Sequence, residues 1–146
     1  MTIMESKARA QQRVAQLADK DRFARAMGVT LVEGGPGHAK VAMTVREQHL
    51  NFNGSCHGGA IFAFADAAFG LASNSHGLIA AGIDAHITYQ LAASLGDELI
   101  ASAIEVSRSR KLAVYRIDVT RADGEMISSF TGTVYVTARH HDEGTD

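Results

Sequence analysis

The sequence predicts an α+β domain in which one long apolar helix sits among five or six mainly antiparallel strands. Three observations carry that expectation. The stretch HGGAIFAFADAAFGLASNS, from His57 to Ser75, is apolar on nearly every side of a helix and holds one formal charge, Asp66. The segments around it alternate apolar and polar residues at a period of two, as half-buried strands do. Turn signals separate these segments at short intervals. The chain has 146 residues, which suits a single domain spanning 1–146; a globule of that size hides roughly 68–70% of its unfolded surface.

Residues 6–27 read as a helix of mixed charge, closed by Gly28 as a left-handed cap. Residues 29–33 (VTLVE) and 37–46 (GHAKVAMTVR) read as two strands joined by GGPG, which contains the only proline. In the second strand Ala39, Val41, Met43 and Val45 share a face. The apolar helix begins at about Gly58. After it, Ile83, Ala85, Ile87, Tyr89 and Leu91 alternate with Asp84, His86, Thr88 and Gln90. Strands over 97–107, 111–121 and 126–138 follow, divided at Gly96-Asp97, Ser109-Arg110 and Asp123-Gly124. The end of the chain, about 140–146, is expected to be disordered.

Composition narrows the functions. The net charge is −2 and the pI is near 6.4, so no basic footprint for nucleic acid or for an anionic membrane is present. The single cysteine, Cys56, leaves no intrachain disulfide and nothing that reads as a zinc site. His140-His141-Asp142 is a weak metal motif in an expected tail, and no metal is expected. The apolar run at 58–72 is shorter than the roughly 18 residues of a spanning helix and carries Asp66, so it reads as a buried helix. The N-terminus has no apolar h-region, and a cytoplasmic protein is expected.

A lone carboxylate in apolar surroundings is costly, and such groups cluster at functional sites. Gly58-Gly59 lets the backbone turn and approach a ligand. The first N–H groups of the helix then point outward without helical partners and favour an anion or a developing oxyanion. Asp66 lies eight residues on, about 12 Å along the axis, too far to touch a group held at its own helix's start. A second copy related by a two-fold axis would bring the two together, and Ala63, Ala67 and Gly70 are small enough to admit a close neighbour. Cys56 and His57 are adjacent in sequence and do not aim at one another as a catalytic pair. Asn51 reads equally as a turn cap or as a site residue. Arg108, Arg110 and Lys111 read first as a solvated turn.

The segment LNFNGSCHGGAIFAFADAAFGLASNSHG resembles the signature of hot-dog-fold acyl-CoA thioesterases, above all the PaaI-type branch tied to phenylacetate degradation. The resemblance is dense from Leu50 to Gly77 and weaker from Met27 to Ala138. It implies a long central helix wrapped by a curved antiparallel sheet, with an additional helix at the N-terminus. It implies homodimers with composite sites that often pair into homotetramers. By motif position, Asp66 resembles the acid that attacks the thioester or activates water. Gly58 resembles the backbone donor to the carbonyl, His57 a residue shaping that pocket, and Asn51 an amide that positions the reactants. Gly59, Arg108, Arg110 and Lys111 fall where the family meets coenzyme A, which is part of the substrate; no separate cofactor is implied. Two departures stand out: Ala92 where many members have proline, and Ser109 where many have glycine. The implied activity is hydrolysis of aryl- or arylacetyl-CoA, such as phenylacetyl-CoA or a hydroxylated form. A medium-chain thioesterase, a hot-dog dehydratase or hydratase, and a non-catalytic acyl-CoA-binding domain are the alternatives. Retention of Asp66 speaks against the last.

Overall fold

A computed structural model of the chain describes residues 1–141; residues 142–146, most of the tail expected to be disordered, lie outside the described residues. Helix α1 (Ile3–Lys20) opens with a capping box: Thr2 Oγ1 accepts from Glu5 N at 3.1 Å and Glu5 Oε2 accepts from Thr2 N at 3.0 Å. The helix expected over 6–27 is in fact two. Asp21 is extended (φ −79°, ψ 90°) and its Oδ1 accepts from Ala24 N at 3.0 Å, capping α2 (Arg22–Ala26). An aspartate that can bond nearby backbone N–H groups competes with the helix, and here it divides it. Gly28 does take the left-handed conformation expected of it, with φ +84°.

Strands β1 (Thr30–Gly35) and β2 (His38–Thr44) follow, then a 3₁₀ turn (Glu47–His49), helix α3 (Gly58–Ser73), and β3 (Leu78–Tyr89), β4 (Glu98–Arg108), β5 (Leu112–Arg121) and β6 (Met126–His140). The six strands form one antiparallel sheet in the order β1-β2-β4-β5-β6-β3. Period-two alternation puts one face of each central strand inward: Val41 pairs with Ala101, Ala101 with Val119, and Ile117 with Phe130, and all of these are buried. Onto that face α3 lays Ile61, Phe64, Ala65, Ala68, Phe69 and Ala72, each no more than 3% exposed. The sheet curls around the helix, as the fold expectation required.

The fit is closest at Phe69, whose ring lies 5.5 Å from Phe130 and 6.0 Å from Tyr115, centroid to centroid. A Cβ at Gly132 would stand 2.6 Å from its Cζ, and one at Gly82 3.3 Å from its Cε2. Neighbouring strands β6 and β3 thus lack side chains where the ring needs room. Helix α1 is fixed to the same body by Val14, which is fully buried, and by Arg13, whose Nη1 donates to Ser75 O at 2.7 Å.

β3 departs from its expected pattern in two ways. It starts at Leu78 rather than 83, because Asn74 Oδ1 accepts from Ala80 N at 2.9 Å and draws the apolar residues LIAAG into the ladder. It is also exposed rather than half-buried: residues 81–86 lie open, Ile83 at 59%. A bulge between Gly82 and Asp84 breaks the alternation, and among the described residues β6 is its only partner strand. His140 and His141, inside the expected tail, are held: His140 ends β6, and His141 Nε2 lies 2.8 Å from Asn74 Oδ1. Among the described residues no helix is long and apolar enough to cross a membrane.

Candidate active site

Residues 50–57 carry the start of α3. Asn51 Oδ1 accepts from Asn53 N at 2.8 Å and from Ser55 N at 3.1 Å, so its carbonyl oxygen shapes the turn. Cys56 N donates to Ala93 O and His57 N to His49 O, at 2.8 and 2.7 Å, which ties the turn to the body. Buried Cys56 has its thiol pushed up to about 11 by desolvation and is inert at neutral pH. Phe52 stands at the tip of the turn, 97% exposed.

His57 caps α3. Its Nδ1 accepts from Gly59 N at 2.8 Å, which makes Nε2 the protonated nitrogen of the neutral ring. The Gly59 N–H is therefore occupied, whereas the Gly58 N–H, first in the helix, has no intrahelical acceptor. Of the two glycines, Gly58 offers the open donor. Tyr89, which sequence reasoning placed only as a strand residue, lies over it: Tyr89 Oη donates to Gly58 O at 3.2 Å, and a Cβ on Gly58 would meet the ring at 3.4 Å. The alternation of β3 was visible in the sequence; the meeting of its end with the start of α3 was not.

Asp66 projects from the face of α3 turned away from the sheet, one of the few α3 residues left exposed. Partial desolvation, and then the charge of Asp21, raise its carboxyl above the ordinary aspartate range. It lines a cavity of about 390 Å³ together with Leu17, Phe23, Ala63 and Gly70. Ala63, Ala67 and Gly70, read as room for a neighbouring helix, thus face a groove whose other wall is the chain's own α1 and α2. Asp21 and that wall were beyond sequence reasoning, since 45 positions separate residues 21 and 66.

The three basic residues part company. Arg110 and Lys111 are exposed and line a second cavity of about 340 Å³ with Leu78 and Tyr135. Arg108 turns inward: its Nη1 is buried, 3.8 Å from Glu105 Oε1. The same oxygen accepts from Tyr115 Oη at 2.6 Å and lies 2.9 Å from His76 Nε2. The basic cavity opens by Leu78, at one end of β3, and Gly58 lies by Tyr89 at the other. A twelve-residue strand spans on the order of 30 Å or more, so one chain's Arg110 and Lys111 stand far from its own Gly58.

An apolar helix seated in a curled antiparallel sheet, with its polar groups at its start and two turns in, defines the hot-dog class. The model of the thioesterase superfamily matches residues 53–128. The acyl-coenzyme A thioesterase PaaI of Escherichia coli K12 is 34% identical over 124 residues, covering 85% of this chain and 89% of that protein. The structure of the E. coli PaaI protein from the phenylacetic acid degradation operon superposes with a TM-score of 0.90 at 31% identity, over 92% of this chain and 98% of that one. A Streptococcus mutans protein bound to acetyl CoA gives a TM-score of 0.74 at 31% identity, over 77% and 90%. This chain belongs to the thioesterase superfamily. Within it, the chain is a hot-dog thioesterase of the PaaI type.

Proposed function

We propose that this enzyme hydrolyses aryl- or arylacetyl-CoA thioesters to the free acid and coenzyme A, with Asp66 as base or nucleophile and the Gly58 N–H as donor to the carbonyl oxygen. One observation carries the reading. The open N–H of Gly58 and the carboxylate of Asp66 stand on one helix about 12 Å apart, so neither serves the other within a chain. A homodimer that sets Gly58 of one copy beside Asp66 of the other resolves this, and it also moves Arg110 and Lys111 of one copy toward the Gly58 end of its partner. The long, exposed edge of β3 offers such a partner unpaired backbone groups. The coenzyme A thioester is supported by the names of the E. coli relative and of the acetyl-CoA complex; the arylacetyl group is supported by the operon named for the E. coli protein. Homotetramers and a cytoplasmic setting are part of the same proposal.

The chemistry follows from these groups. Water, or the Asp66 carboxylate, adds to the thioester carbon and the oxygen gains negative charge. The Gly58 N–H stabilises that charge, a contribution of about 2.7–4 kcal/mol for one such donor. The C–S bond then breaks and coenzyme A leaves as a thiolate. As base, Asp66 takes the proton of the attacking water; as nucleophile, it forms a mixed anhydride that water later opens. His57, neutral and capping α3, holds the first turn in place, and Asn51 fixes the loop before it.

The test is release of free thiol from phenylacetyl-CoA by wild type and by Asp66→Ala and Asp66→Asn. Both variants are expected to lose on the order of 100-fold or more in kcat while remaining dimeric by sedimentation. Equal rates in wild type and Asp66→Ala would remove Asp66 from the reaction. A monomer with full activity would end the composite site.

A further inference from the structure

We propose that the groove between the open face of α3 and the α1–α2 pair is the acyl pocket, and that Gly70 sets how large an acyl group it admits. This deepens the proposed thioesterase reading and rests on it.

The groove begins at the carboxylate that reading puts at the thioester. Ala63, Asp66, Ala67, Gly70 and Asn74 all line it, and their spacing of three and four residues places them along one side of α3. From Asp66 to Asn74 the groove follows the helix for about 12 Å. Its volume of about 390 Å³ is at the lower end of small-molecule pockets, roughly 300–1,000 Å³, and suits an acyl group rather than a whole coenzyme A ester. Across from Gly70 the wall is apolar, built by Leu17 and Phe23. Phe23 is 67% exposed although it lies on a helix anchored against the body. The chain's own core does not use that ring.

Gly70 is the second sign. It lies in the interior of α3, where glycine is disfavoured relative to alanine. Among the described residues a Cβ built on it meets nothing within 4 Å, in contrast to Gly132 and Gly82, whose missing side chains make way for Phe69. The space over Gly70 is therefore open groove rather than room for a neighbour of the core.

Charge selects the occupant. Among the described residues the groove's lining includes no Lys or Arg, while two carboxylates, Asp21 and Asp66, face it, with His141 at the far end bonded to Asn74. A nucleotide or an acyl group ending in a carboxylate meets repulsion there. A neutral apolar acyl group, aromatic or aliphatic, does not. The polyanionic part of the ester finds its cations elsewhere, at Arg110 and Lys111.

The experiment compares kcat/KM for phenylacetyl-CoA, acetyl-CoA and succinyl-CoA in wild type, Gly70→Ala, Gly70→Leu and Phe23→Ala. The phenylacetyl-to-acetyl ratio is expected to fall at least tenfold in Gly70→Leu and severalfold in Phe23→Ala, with succinyl-CoA the poorest substrate of wild type. Gly70→Ala, whose methyl fits the open space, keeps the wild-type melting temperature or raises it and reports the smallest filling of the groove. Binding of phenacyl-CoA, a thioether that cannot be hydrolysed, is measured beside that of coenzyme A. The phenacyl group is expected to add affinity in wild type and to add little in Gly70→Leu. An unchanged ratio in both Gly70→Leu and Phe23→Ala, or a phenacyl group that adds no affinity to wild type, overturns the pocket. A wild type that hydrolyses none of the three esters yet loses phenacyl affinity in Gly70→Leu overturns the thioesterase reading and leaves the pocket standing.

Discussion

The two sides of α3 solve opposite problems with similar residues. On the sheet side Phe64, Ala65, Ala68 and Phe69 are closed off to 3% exposure or less, and even glycines in the opposing strands are shaped to Phe69. On the other side Ala63, Asp66 and Gly70 border a groove, and no described residue stands above the glycine there. Both sides are small and apolar in sequence. The difference lies in what they meet: six strands on one side, helices α1 and α2 with the Asp21 carboxylate between them on the other. One side holds the helix still, so that the other can stay open without collapsing.

The sharpest way to break the closed side is Phe69→Ala. Removing a buried aromatic ring costs about 3–5 kcal/mol, and a urea melt at fixed protomer concentration should show the midpoint shift. A loss below about 1 kcal/mol would mean that the strands around Gly82 and Gly132 close over the gap. On the open side, Gly58→Pro removes the N–H at the first helical position, where proline is well tolerated, and its Cβ meets the Tyr89 ring at an ordinary contact distance of 3.4 Å. A fall in kcat of about 100–1,000-fold with little change in melting temperature is expected, the magnitude for one oxyanion donor. Retained kcat would assign the donor to another group.

A smaller effect concerns pH. Burial and then the Asp21 charge raise the Asp66 carboxyl. Asp21→Asn keeps an acceptor for Ala24 N and removes the charge, so Asp66 ionises at lower pH and the acidic limb of kcat/KM moves down. Stability follows the same sign. A carboxyl raised by folding binds its proton more tightly in the folded state, so its stabilising effect is complete below the unfolded value and fades as pH rises through the folded one. Asp21→Asn should flatten that decline, and an unmoved acidic limb would separate Asp21 from Asp66. The smallest change expected is from Tyr89→Phe. It deletes one exposed hydrogen bond to Gly58 O, of net value about 0.5–1.5 kcal/mol, and should lower kcat by less than tenfold while leaving the fold intact.

Much of this was legible in the sequence, and the exceptions have physical causes. The start of α3 at Gly58 and the extents of β2, β4, β5 and β6 follow from period and turn chemistry, within three residues of expectation. Asp66 was legible because charge is rare in an apolar helix. The division of α1 from α2 was not, because Asp21 looks like any charged residue on a helix until its side chain bonds Ala24 N. Arg108 misled for a subtler reason. Alternation puts residues 105 and 108 on opposite faces of a strand, but a bulge between Glu105 and Ser107 returns Arg108 to the side of Glu105. Its neighbours Arg110 and Lys111 remain outside. The groove over Gly70 was invisible because its walls lie some 45 positions apart.

The route of β3 has a consequence for how the protein is made. After α3 the chain crosses to the far edge of the sheet, and among the described strands β3 pairs only with β6, the last of them in chain order. About fifty residues separate Tyr89 from His140. At roughly 5–20 residues per second on the ribosome, β3 waits on the order of 3–10 s for its neighbour, and the Tyr89 cover over Gly58 cannot settle before then. Throughout that interval Ile83 and Tyr89 stand on an open strand with no edge to join. Chaperone capture of nascent chains should therefore peak after residue 91 emerges and fall once β6 is out.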